Sequence, residues 1–261
     1  MDQFTRRIFL KAAGGAAAVT PAALAGAPPT QPAASQSAQP PPQAAASGSQ
    51  AAQAAQRQPY LFFSAAEAAF MEAAVDRLIP PDEIGPGANE AGVVTFIDRQ
   101  LAGAWGAGER LYRGGPWAAG TPSQGYQLPF TPAELFRNAL RALVQQGRQA
   151  TPFEKLQGPQ QDEWLTRLQN GSDALEGVPA RTFFESLLAM TIEGYFCDPA
   201  YGGNRDARAW AMVGFPGAYG NYYDVVDRHG IAFDLPPRSF AQDGGGHVHE
   251  LPQAAPPKGR R

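Results

Sequence analysis

The residues able to do chemistry form two groups of carboxylates, a few histidines and one cysteine. Asp82, Glu83 and Glu90 lie in a turn-rich stretch, and Asp198 and Asp206 flank a glycine-rich loop. Oxygen ligands drawn from such loops can hold Ca²⁺, and paired carboxylates can act as acid and base. The spacing matches no EF-hand, and helix capping or solvation accounts for the same residues. His229 is the only histidine of the body; His247 and His249 sit two apart in a glycine- and proline-rich tail, where solvation is the simpler expectation. Cys197 is the single cysteine, so an internal disulfide and a cysteine-cluster metal site are excluded. No basic residue next to it in sequence activates the thiol, and a buried structural role is expected.

Other chemistry lacks its signature. No Gly-x-Gly-x-x-Gly follows a strand pattern, and there is no P-loop, haem-attachment Cys-x-x-Cys-His, zinc spacing or Gly-x-Ser-x-Gly. The expectation is that this chain carries no catalytic residue, cofactor site or metal site of its own.

The most distinctive stretch is instead Cys197-Asp-Pro-Ala-Tyr201-Gly-Gly-Asn-Arg205-Asp206, continuing through Trp210 to Gly214-Phe-Pro-Gly217. Asp198-Pro199 turns the chain out of helix, and Gly202-Gly203-Asn204 supplies positive-φ positions. A short helix restarts over Asp206–Met212 and stops at Gly214 and Pro216. Such a loop either plugs the core beneath it or forms a docking surface, since aromatics and arginine anchor interfaces. Tyr201, Asn204, Arg205, Trp210 and Phe215 are the candidate interface residues. Tyr112 and Trp117 from an earlier aromatic loop join them. On the docking reading, Trp210→Ala weakens partner binding without unfolding the body.

The elements that must position this loop follow from the rest of the chain. The sequence has 261 residues and a formal net charge of -3, which leaves no electrostatic footprint for nucleic acid. Thr5-Arg6-Arg7-Ile8-Phe9-Leu10-Lys11 and the weakly apolar Ala12–Leu24 read as a twin-arginine export signal over residues 1–27, with small-residue cleavage sites near Ala25. The apolar stretch is too short for a span, so the mature protein is expected to be soluble or peripheral, in the periplasm or outside the cell. Residues 28–58, rich in Pro, Ala, Gln and Ser, read as a disordered linker.

The body, residues 59–240, reads as all-α: a compact helical domain of five to seven helices with long glycine- and aromatic-rich loops. Ser64-Ala-Ala-Glu67 has capping-box form before the first helix, which Pro80-Pro81 ends. A second helix is expected from Ala88 or Asn89, with Trp105 on its apolar stripe. Gly106–Phe130 reads as a long ordered loop, and Thr131-Pro-Ala-Glu134 opens the next helix. A short amphipathic helix follows around Gln160–Leu168. Pro179–Phe196 is the longest apolar helix and the expected core. A disordered tail is expected over residues 241–261.

The chain resembles the gluconate 2-dehydrogenase subunit 3 family, the small or gamma subunit, from about Phe63 to Tyr223. The residues that carry this are Asp76-Arg-Leu-Ile-Pro80, Asp82-Glu-Ile-Gly-Pro-Gly-Ala88, Glu90-Ala-Gly-Val93, Phe96-Ile-Asp-Arg-Gln-Leu101, Tyr112-Arg-Gly-Gly-Pro116, Gln161-Asp162 and the Asp198–Gly217 run. The resemblance implies a non-catalytic subunit of a membrane-associated dehydrogenase complex. Its partners would be an FAD-containing GMC-type dehydrogenase subunit, acting on a sugar, sugar acid or polyol, and a multihaem cytochrome c subunit. FAD and haem c would belong to those partners. The small subunit would carry the twin-arginine signal and stabilise the flavoprotein. Two other readings of the residues stand beside this one: a free-standing exported metal-dependent enzyme using the carboxylates, and an envelope module binding glycans through its aromatic loops.

Overall fold

A computed structural model describes residues 59–109, 111–112, 114–219, 227–231 and 235–251. The leader, the 28–58 linker and residues 252–261 lie outside the described residues. The body is one compact unit that begins at Tyr60. Among the described residues it contains six α-helices: α1 Ala65–Leu78, α2 Val93–Ala102, α3 Pro132–Gln149, α4 Gly158–Asn170, α5 Ala180–Phe196 and α6 Arg208–Val213. Its only sheet among the described residues is an antiparallel pair, β1 Ala174–Leu175 and β2 Val178–Pro179. The protein is therefore all-α.

The helix starts obey the capping chemistry of the sequence. Thr131 and Glu134 bond reciprocally at the head of α3, the Glu134 N–H to the Thr131 hydroxyl at 3.2 Å and the Thr131 N–H to the Glu134 carboxylate at 2.8 Å. At α1 the Glu67 carboxylate accepts both the N–H and the hydroxyl of Ser64 at 2.8 Å, and Arg137 of α3 reaches it at 2.5 Å. Burial raises the Glu67 pKa, but the Arg137 and Ser64 hydrogen bonds outweigh it and hold the group below the usual range.

Two helix boundaries depart from the sequence pattern. Helix α2 starts at Val93 rather than at Ala88 or Asn89, because Gly92 has φ +83° and no helix runs through a left-handed residue. It ends at Ala102, so Trp105 falls in the following turn and is exposed rather than lying on the apolar stripe.

Helix α5 is central, packing against α1, α2, α3, α4 and α6. Phe183, Leu187 and Tyr195 are fully buried along it. Phe136 of α3 meets Phe183 edge-on, with ring centroids 5.4 Å apart. Phe70 of α1, Phe153 and Trp164 of α4 form an aromatic triangle with centroids 5.0–5.5 Å apart. Arg77 of α1 grips the Asp162 carboxylate of α4 through Nε and Nη2, at 2.9 and 2.5 Å.

The N-terminal edge of the body is held by one buried carboxylate. Asp98 of α2 accepts the N–H groups of Leu61, Phe62 and Phe63 at 2.7, 2.9 and 3.0 Å. Asp98→Ala leaves three backbone donors without an acceptor, and a loss of about 3 kcal/mol is expected in urea unfolding. Asp98→Asn, which keeps one acceptor oxygen, is expected to recover part of it.

Candidate partner interface

The aromatic loop is built on a three-way crossing of backbone. Helix α5 ends at Phe196, and Asp198 caps the single turn Pro199–Tyr201 by accepting the Ala200 N–H at 2.9 Å. The chain then folds back on itself through Gly202, φ +94°, and Asn204, φ +41°. A β-carbon on Gly203 would sit 2.2 Å from the Gly194 carbonyl oxygen, so only glycine lets the loop press onto the helix end. Gly194 in turn admits the Phe96 ring of α2.

Asn204 is fully buried. Its N–H donates to the Gly194 carbonyl at 3.1 Å and its amide Nδ2 to the Cys197 carbonyl at 2.9 Å. Its Oδ1 accepts the Ala209 N–H at 3.0 Å and so fixes the first turn of α6. The next residue, Arg205, donates its N–H to the Ala91 carbonyl at 2.9 Å, joining the loop to the turn before α2. Arg208 pairs with Glu90 over the same seam.

Trp210 is only 7% exposed, and its indole N–H donates to the Phe196 carbonyl at 2.8 Å. It satisfies a carbonyl at the C-terminus of α5 and supports Phe215, whose ring stands edge-on to it at 5.0 Å. Asn204 and Trp210 therefore cannot offer their side chains to a partner. This corrects the expectation that both are interface contacts: they build the loop from beneath. Tyr201, Arg205 and Phe215 are exposed on its outer side. Tyr112, 82% exposed, and Trp117 are also exposed on the loop that precedes α3. The ring contacts joining Tyr201 to Phe240 and Trp210 to Phe215 do not extend to either among the described residues.

Beside the loop lies an open groove of about 550 Å³. Phe96, Ile192, Phe196 and Tyr201 give it apolar walls, and Glu193 and Asp198 give it negative charge. Cys197 also lines it. Burial pushes that thiol up to about 12, with the Asp198 and Glu193 carboxylates adding to the rise against a hydrogen bond from Gly203. The S–H donates to the Gly194 carbonyl at 3.3 Å. A neutral, hydrogen-bonded thiol is a packing group, not a nucleophile.

The sequence-selected carboxylates do not converge. Asp82 accepts the N–H groups of Ile84 and Gly85 within its own turn, Glu90 pairs with Arg208, and Asp198 is taken up by the loop and by residues 239–240. Among the described residues no group of three or more His, Cys, Asp or Glu could hold a metal ion. His247 and His249 are exposed and face Asp243. Residues 241–251, expected to be a disordered tail, instead carry a bridge between Gln242 and Val248 and return to the body through Leu251. A run of three glycines among polar residues hid this segment, whose ties are polar rather than apolar.

The residues that the sequence most strongly marks are thus structural fasteners around an exposed aromatic rim. Over residues 65–217 the chain matches the family model described as gluconate 2-dehydrogenase subunit 3. The chain belongs to the gluconate 2-dehydrogenase subunit 3 family. No curated protein and no solved structure matches it. The family is a subunit of the gluconate 2-dehydrogenase complex, which implies partner subunits. No helix among the described residues is long and apolar enough to cross a membrane.

Two measurements check this assignment of roles. Trp210→Ala should lower the stability of the isolated chain by about 3–5 kcal/mol in denaturant unfolding, as removal of a buried tryptophan does. Burial keeps the Cys197 thiol protonated at pH 8 to a much greater extent than an exposed thiol. Iodoacetamide should therefore alkylate Cys197 in the folded protein at least about tenfold more slowly than in urea, followed by mass spectrometry.

Proposed function

We propose that this chain is the non-catalytic small subunit of an exported, membrane-associated, FAD-dependent dehydrogenase acting on a sugar, sugar acid or polyol. The observation that carries the reading is the family match over residues 65–217. It ends on the loop whose outer side presents Tyr201, Arg205 and Phe215. A surface of that kind suits protein recognition, where a few aromatic and arginine anchors supply most of the affinity.

The twin-arginine leader at Arg6-Arg7 supports the second half of the role. That route carries folded proteins, so a flavoprotein bound to this chain would cross the membrane with it and reach the periplasm. The flavin belongs to the large partner and supplies hydride acceptance there, and a multihaem cytochrome c subunit takes the electrons onward. This chain's own residues bind and hold: the buried Asn204 network keeps the loop rigid, so little ordering entropy is lost when a partner docks. No proton or electron transfer is assigned to any of its side chains.

The test is co-expression with a candidate flavoprotein dehydrogenase subunit from the same organism. The pair should oxidise sugar substrates with an artificial dye, whereas neither chain alone should be active and exported. The double variant Tyr201→Ala, Phe215→Ala should lower co-purified flavoprotein at least about tenfold, the scale of two modest interface anchors. Its melting temperature should stay close to wild type, because both rings are exposed. Undiminished co-purification would move the interface elsewhere.

A further inference from the structure

The loop is covered on one side by a segment held almost entirely by polar ties. Beyond Arg238, which pairs with Pro216 and Ala218 through backbone hydrogen bonds, the chain crosses to Asp198. There the Ser239 hydroxyl donates to Asp198 Oδ1 at 2.5 Å and the Phe240 N–H to Oδ2 at 3.0 Å. Residues 241–249 then form a hairpin-like excursion, closed by the His249 N–H on the Ala241 carbonyl at 3.0 Å. The segment returns to the body at its far end. Glu250 pairs with Arg99 of α2 at 2.5 Å, and the Leu251 N–H donates to the Ala200 carbonyl at 3.0 Å.

Very little apolar burial secures it. Ser239 is buried, but Phe240 and Leu251 are both exposed, and Phe240 rests on the Tyr201 ring at 5.9 Å. Segments fastened by few hydrogen bonds and little apolar contact open locally at a free energy far below that of global unfolding. What lies beneath is different in kind. Arg99 is only 13% exposed, and its Nη1 is buried with no hydrogen-bond partner. The guanidinium lies so close to Gly202 that a β-carbon there would be 2.6 Å from Nη1. Glu250 satisfies only one of the two terminal nitrogens. A carboxylate bound in the two-pronged geometry that guanidinium prefers would satisfy both.

The covered surface, Asp198 to Gly202 and Arg99, lies inside the residues matched to the family; the covering segment, 239–251, lies outside them. We propose that residues 239–251 form a latch pivoting at Arg238, and that Glu250 is an internal stand-in for a carboxylate of a partner protein that binds Arg99 when the latch opens. That the partner is the flavoprotein subunit rests on the reading given above. The latch covers Arg99 and rests on the Tyr201 ring in the free chain, and an acidic partner segment displaces it. The occupant is acidic because the one unsatisfied buried group at the site is a cationic donor.

The experiment uses the full chain and two readouts. In hydrogen–deuterium exchange, the amides of 240–251 and of 200–202 should exchange together while those of α5 stay protected. The double variant Ser239→Ala, Glu250→Gln should speed that group at least about tenfold without altering α1 to α5. Fluorescein-labelled hexaglutamate at physiological salt is the binding probe. It should bind the double variant at least about fivefold more tightly than wild type, a gain that Arg99→Gln abolishes and Arg208→Gln leaves intact. Should Arg99→Gln fail to fold, Arg99→Lys replaces it, with the gain reduced because lysine lacks the two-pronged fork.

Exchange of 240–251 only with global unfolding would overturn the latch, as would equal hexaglutamate affinity in the double variant and wild type. Both readouts use this chain alone, so they fail or succeed independently of whether a flavoprotein co-purifies.

Discussion

The structure depends on the seating of Asn204 against the C-terminus of α5. One buried side chain closes two hydrogen bonds, its own N–H closes a third, and together they lock the end of α5, the loop and the start of α6. A buried amide is costly unless its donors and acceptors are met. Here the left-handed backbone of Asn204 and the missing side chain of Gly203 bring the partners within reach. Without that seating, Trp210 would lose the Phe196 carbonyl it bonds, and Phe215 the ring that supports it. The turn at Ala91–Gly92 would likewise lose the strand of backbone that Arg205 lays against it.

Rigidity of this kind explains why so much of the most marked sequence is spent on fastening. Asp98 ties down the entry to the body, Arg77 and Asp162 join α1 to α4, and Tyr195 donates its hydroxyl to the Pro86 carbonyl from the centre of the core. Asp76 accepts the Asn89 N–H at 2.8 Å, although burial raises its pKa and the Glu72 and Glu90 charges add to the rise. None of these groups faces a common cavity. They hold a scaffold whose outward product is an aromatic rim and an apolar groove with a negative edge.

Much of the fold is legible in the sequence because it rests on local chemistry. The capping residues Ser64 and Thr131 place two helices, and the apolar run over 180–196 marks the central one. The start of α2 is missed because the periodicity of residues 88–92 is helical while the conformation of Gly92 is not. The candidate interface residues divide for a reason that spacing cannot reveal. Tyr201 and Trp210 are both aromatics in one loop, and only tertiary packing turns the second inward. The 239–251 segment is harder still, since its composition is that of a solvated tail. Its order comes from Asp198 and Arg99, each some forty or more residues away in sequence.

The proposal that this protein works as a docked subunit meets its sharpest test in a tagged copy gently extracted from its native cells. Native mass spectrometry and an absorption spectrum would be recorded on the same eluate. A stoichiometric larger polypeptide bearing a flavin absorption band, with or without the bands of haem c, is expected. A single colourless chain of the mass of this protein alone, under extraction that keeps known membrane complexes whole, would contradict the docked role.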